Sequence, residues 1–165
     1  MLFVDMFLTI LAEVTSVNAF EINPYIRVAY KDSVLTSFFH IKKRIIFDYE
    51  LIYLKQGSLT FKYNDVTYDC KAGQFIFIRP EISHSFRVGT KALNQPHIHF
   101  DMVYDSLSRH IPVCFKDKSE LTNEEKMFIR KDIFKGYPIY PFVKFSDEKK
   151  ALELFYKAIG GLEND

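Results

Sequence analysis

The sequence has no tryptophan and only two cysteines, Cys70 and Cys114. Two thiols outside any recognisable metal or redox motif are too few for the disulfide framework of a small secreted domain. Both are expected to be reduced and half-buried, as in a cytoplasmic protein. Glycine and proline number only six each, which excludes collagen-like and low-complexity chains. No uninterrupted apolar stretch reaches the roughly 20 residues that a membrane-spanning helix needs. An excess of either charge is missing too: 22 basic residues meet 21 acidic ones, for a net charge of +1. That argues against a free-standing nucleic-acid binder and against strong attraction to an anionic membrane. No phosphate-cradling glycine loop, dinucleotide fingerprint or nucleophile-elbow motif occurs.

What is present suits one domain. The 165 residues fall within the usual domain size of about 100–200. The 48% apolar content excludes disorder. Phenylalanine (17) and tyrosine (10) dominate the aromatics, and both favour strands.

The first 20 residues are periodic. Phe3, Met6, Phe7, Ile10, Leu11 and Val14 recur at helical spacing opposite Asp5, Thr9, Glu13 and Ser16, which predicts an amphipathic helix. A signal peptide fits less well, because no basic region precedes the apolar run and Asp5 interrupts it.

Residues 21–110 read as short strands punctuated by turns: Pro24–Tyr30, Ile45–Leu54, Leu59–Tyr63, Val66–Tyr68, Phe75–Ile78, Ser83–Val88 and His97–Tyr104. Asn64-Asp65 fits a two-residue hairpin turn. Such spacing indicates a sandwich or barrel rather than an alternating α/β fold. Residues 111–165 change period. Thr122-x-x-Glu125 is a capping-box pattern that opens a helix over Glu125–Phe134. Ser146 is placed to cap a last helix, Asp147–Ile159, stopped by Gly160-Gly161.

Alternation along strands brings polar residues together. From Arg44, the even positions are Arg44, Ile46, Asp48, Glu50, Ile52 and Leu54, while the odd ones are all apolar or aromatic. The mixed face either lines a cavity or lies on the solvent side of an edge strand, and alternation alone does not choose. His97, His99 and Asp101 likewise share one face, and His84 can converge from a neighbouring strand. Imidazole and carboxylate suit a divalent metal, the hydroxyls of a sugar, or structural hydrogen bonds on a wet sheet face. His40 and His110 read as surface residues. Asp48 and Glu50 fit pocket tuning better than acid–base catalysis, and no nucleophile–base pair is evident.

These segments resemble a cupin, and more narrowly the N-terminal effector-binding domain of AraC-type transcription regulators. The resemblance is carried by Arg44, Asp48-Tyr49-Glu50-Leu51, Tyr53 and Gly57. Gly73, Pro80 and His84 carry it further, as does Pro96-His97-Ile98-His99-Phe100-Asp101. The strand Pro24–Ala29 resembles the family's arm and first strand. The resemblance implies a mainly β chain: a jelly-roll barrel over 21–110, an N-terminal helix over 1–20, and a helical dimerisation segment of two helices over 111–165. It also implies a pocket for a small effector, often a sugar, held by Arg27, Arg44, Asp48, Glu50, His84, His97, His99 and Asp101. The implied protein is a cytoplasmic homodimer without cofactor or enzymatic activity. Nothing after Gly161 holds helix-turn-helix motifs, so DNA is expected to be reached only through a domain outside this chain. Glu50 and His84 match positions that are ligands in metal-binding cupins, but Arg44 and Ile46 stand where paired histidines precede the glutamate there. The alternative is therefore a metal-dependent cupin enzyme using Glu50, His84, His97 and His99.

Overall fold

The computed structural model of the chain describes residues 22–137 and 140–162. The helix expected over 1–20 lies outside the described residues. The described chain is mainly β. Its strands are β1 (Tyr25–Tyr30), β2 (Val34–Thr36), β3 (His40–Arg44), β4 (Tyr49–Tyr53), β5 (Ser58–Tyr63), β6 (Val66–Lys71), β7 (Phe75–Ile78), β8 (His84–Val88), β9 (Ala92–Asn94), β10 (His97–Asp101) and β11 (Phe142–Val143). Two helices follow the same order, α1 (Asn123–Lys126) and α2 (Glu148–Leu162).

The ladders form three sheets, ordered β1-β10-β4-β7-β11, β3-β8-β5-β6 and β2-β9. The expected closed barrel is not formed, because the two larger sheets share no ladder. Where β3 should lead directly into β4, Ile45–Asp48 leaves the sheets. Ile45 N donates to Lys116 O at 3.0 Å, and Phe47 O accepts from Arg130 N at 2.7 Å. Backbone groups of this stretch are thus satisfied by the C-terminal segment rather than by a strand. The result is a sandwich with open seams. The β5–β6 turn does form as expected: Asn64 and Asp65 have φ of 47° and 66°, the left-handed pair that a two-residue hairpin requires.

Side-chain alternation divides the core. The inward faces of both large sheets meet in one apolar cluster that includes Ile52, Leu54, Leu59, Phe61, Ile76, Phe86, Val88 and Leu93. The outer face of the five-stranded sheet carries Tyr49, Leu51, Phe77, Ile98 and Phe100, and α2 covers it with Ala151, Leu154, Phe155 and Ile159. Burying a side chain such as Phe155 contributes about 1.5–3 kcal/mol. So the apolar face of the last helix is spent on its own sheet.

Two helices of the tail differ from expectation. The Thr122–Glu125 capping box is present, but α1 stops at Lys126 instead of reaching Phe134. Beyond it, Arg130 N is tied to Phe47 O, and Asp132 Oδ1 accepts from Phe134 N at 3.0 Å. These contacts hold the segment as turns against the sheet and override its helical pattern. At α2 the cap is Asp147 rather than Ser146, its carboxylate accepting from Lys150 N at 2.9 Å. The helix runs through Gly160 and Gly161 to Leu162.

Candidate functional site

Two β-bulges and one strand pair build the polar end of the interior. On β4, Glu50 and Ile52 face inward. Neighbouring β10 places His99 opposite Glu50 and His97 opposite Ile52. The register of β1 against β10 slips between Ile26 and Val28, leaving Arg27 as the extra residue. The register of β3 against β8 slips between Ile41 and Arg44, and Arg44 then pairs with His84. Bulges re-aim side chains, and here each one turns an arginine toward the carboxylates of Asp48 and Glu50.

The contacts run as a chain. Arg27 holds Asp48 by an ion pair through Nη2 and by a hydrogen bond from Nε at 3.2 Å. Asp48 Oδ1 meets His99 Nδ1 at 3.1 Å. His99 Nε2 stands 3.7 Å from Glu50 Oε1. The other carboxylate oxygen, Glu50 Oε2, accepts from Arg44 Nη2 at 3.3 Å. Arg44 Nε donates to His84 Nε2 at 3.1 Å, and Arg44 Nη1 donates to Cys114 O at 3.2 Å. His84 Nδ1 completes the chain on Ile82 O at 2.9 Å. Arg44, Asp48, Glu50, His84 and His99 are all between 1% and 3% exposed, which settles the sequence ambiguity: these heads point into the protein.

Burial opposes every charge here, and the neighbours decide each outcome. Burial alone would raise the Glu50 pKa, but the positive charges of His99 and Arg44 outweigh it and hold the carboxyl near 2. Burial alone would lower His99, yet the carboxylates of Glu50 and Asp48 raise it above the ordinary imidazole value. Burial, with Arg44 alongside, pushes His84 down to about 4. It then accepts from Arg44 through Nε2 and donates through Nδ1, as a neutral ring must. Burial also lowers His97.

Asp101 shares the face but not the chain. Its ion-pair partner is Arg130 Nε at 3.0 Å, although neither carboxylate oxygen receives a well-directed hydrogen bond. It borders a cavity of about 480 Å³ lined also by Tyr49, Asp105, Arg130 and Lys131. Of the four groups in the alternative metal set, three come together: Glu50, His97 and His99 offer ligand atoms within 4.8 Å of one another. His84 does not join them, because its two ring nitrogens are engaged by Arg44 and the Ile82 carbonyl. His40 and His110 are exposed. Both cysteines are free and buried, and burial raises each thiol.

Sequence reasoning missed the partners that arrive from the tail. The Phe115 ring lies 4.9 Å from the Arg44 guanidinium carbon, and Arg130 neutralises Asp101. No local signal announces them, since both come from the segment that replaces the barrel seam. Among the described residues, no helix is long and apolar enough to cross a membrane.

Residues 23–109 match the AraC-like ligand binding domain family. Solved structures similar to the chain include the protein YhaK from Escherichia coli, at 18% identity and TM-score 0.42 over 47% of this chain and 37% of that one. A second is an RmlC-like cupin family protein with a double-stranded β-helix fold from Methanocaldococcus jannaschii, at 12% identity and TM-score 0.40 over 48% and 82%. A third is a cupin 2 conserved barrel domain protein from Leptotrichia buccalis, at 15% identity and TM-score 0.39 over 56% and 46%. The chain thus spans little more than a third of YhaK. No curated protein matches it by sequence. The family match extends over more than half of the sequence, and the protein belongs to the family of AraC-like ligand binding domains.

Proposed function

We propose that this domain senses a small polar molecule, with sugars the first class to test, at the charged end of its interior. It serves as the effector-binding and dimerisation part of a cytoplasmic AraC-type transcription regulator and reaches DNA through a domain outside this chain. One observation supports this reading above the others: Arg44, two carboxylates and two histidines are buried together, with Arg27 half-buried beside them, although burial disfavours their charges. Buried ion pairs are poor stabilisers, often matched or bettered by apolar residues of similar volume, so their retention points to a ligand. Arg27, Arg44, Asp48 and Glu50 supply the donors and acceptors, and His84, His97 and His99 orient them.

The reading assigns no catalysis. The arginines are paired with carboxylates, and among the residues of the charged cluster no nucleophile lies beside a base. Effector action is a population shift. A ligand that fits one arrangement of the tail better than another moves the equilibrium by its differential affinity, commonly about 1–3 kcal/mol. The tail is coupled to the site directly, since Arg44 holds the Cys114 carbonyl. The 111–165 segment is the proposed dimer element. With the apolar stripe of α2 already used, its exposed Lys149, Lys150, Glu153 and Lys157 would make any helix-mediated contact polar.

The test is a thermal-shift and calorimetric screen of sugars and hydroxy acids, comparing the wild type with Arg44→Lys. Lysine keeps Glu50 paired but lacks the guanidinium fork. Binding weakened about tenfold or more in a folded variant supports the reading; equal binding overturns it.

A further inference from the structure

We propose that the cavity between the end of β10 and the turn at 130–133 binds a small zwitterion with an apolar body, of the α-amino acid class. Its volume of about 480 Å³ falls within the roughly 300–1,000 Å³ typical of small-molecule sites. None of the groups in the chain from Arg27 to His84 lines it. The cavity is therefore separate from the proposed effector site, and either can hold without the other.

Its wall is built before any ligand arrives. Arg130 N donates to Phe47 O at 2.7 Å, and Ile133 N donates to Tyr49 Oη at 2.8 Å. Tyr49 Oη in turn donates to Asp132 Oδ1 at 3.0 Å. With that hydroxyl engaged, the Tyr49 ring joins Met102 and Ile133 as an apolar wall.

The other wall is charged. The Arg130 guanidinium bridges two carboxylates: Nε lies 3.0 Å from Asp101 Oδ2, and Nη2 lies 2.6 Å from Asp105 Oδ2. Asp101 is 3% exposed, and neither of its oxygens receives a well-directed hydrogen bond. Burial raises its carboxyl above the ordinary value, with Ser108 and Arg130 opposing. Asp101 thus acts by holding Arg130, whereas exposed Asp105 is open to contact. Arg130 Nη1 and the exposed Lys131 ammonium make no hydrogen bond with the described residues. Both are free to donate to a ligand carboxylate, and each Asp105 oxygen keeps a second lone pair for an ammonium. Two carboxylates and two cations balance, so the wall suits a ligand that carries both signs and no net charge. The apolar wall takes the side chain.

The experiment uses the full chain with isotope-labelled methionine methyls. L-phenylalanine and L-leucine are titrated by calorimetry and NMR, beside phenethylamine and hydrocinnamate, which each lack one of the two charges. The proposal expects one equivalent of at least one amino acid, held at least about tenfold more tightly than either single-charge analogue. It also expects the Met102 methyl to shift and the exposed Met127 methyl to stay. Lys131→Met is expected to weaken the amino acid at least about threefold and to leave phenethylamine unchanged. No saturable binding of either amino acid overturns the proposal. So does equal affinity for a single-charge analogue, binding that leaves the Met102 methyl unmoved, or affinity that survives Lys131→Met intact. If Lys131→Met fails to fold, the wild-type affinities and methyl shifts decide alone.

Discussion

The sandwich interior has two ends filled by opposite chemistry. Toward one end, Leu54, Leu59, Phe61, Ile76, Phe86, Val88 and Leu93 interlock as an apolar cluster. Toward the other, Arg27, Arg44, Asp48, Glu50, His84 and His99 pair among themselves. The same strands supply both: Glu50 and Ile52 are two residues apart on β4, and His97 sits opposite Ile52. Backbone geometry therefore makes no distinction between the ends; side-chain identity does. The apolar end accounts for the fold, since its burial is directly favourable. The charged end opposes folding on desolvation grounds and is intelligible as a place where something binds.

The comparison can be broken by mutation, and the largest effect should come from the apolar end. Phe61, 1% exposed, is expected to cost about 3–5 kcal/mol as Phe61→Ala in denaturant unfolding. The charged end should give a nearly equal loss from one partner and almost none from two. Arg44→Ala strands Glu50 and is expected to cost about 3–5 kcal/mol, while Arg44→Met combined with Glu50→Leu should be within about 1 kcal/mol of wild type, or more stable. A double variant as damaged as the sum of its singles would make the ion pair structural and remove the contrast.

A smaller effect is tied to pH. His84 is held near 4 in the folded state against 6.5 as its ordinary value. Between those values the unfolded chain binds the extra proton, so stability falls as pH drops from about 6.5 toward 4. The His84 share is on the order of 3 kcal/mol. Melting temperature against pH should show it as a slope that His84→Gln flattens. The smallest effect lies outside both ends: Thr122→Ala removes the α1 cap and should cost about 1 kcal/mol without changing ligand response.

The sequence made much of this legible, for a physical reason. The period of two is a local property, so spacing could show that Glu50 shares a face with Asp48 and His97 with His99, but not that these faces point inward. The Asn64-Asp65 turn and the start of α1 rest on equally local chemistry. Arg27 is different: a bulge turns it inward, and a bulge breaks the very period that alternation relies on, so only the family resemblance put it in the site. The open seam was not legible either, because it goes with Ile45 and Phe47 bonding to Lys116 and Arg130, residues far removed from them in sequence. The same contact removed the helix expected after Lys126. Ion pairs between segments distant in sequence, such as Arg130 with Asp101 or Arg79 with Asp132, have no signature in either partner's neighbourhood.

The most direct test of the central claim is a ligand-dependent melting screen run in parallel on the wild type and on the Arg44→Met, Glu50→Leu double variant. If the charged end is a binding site, at least one sugar or hydroxy acid raises the wild-type melting temperature and leaves the equally stable double variant unmoved. A rise of the same size in both proteins would contradict it.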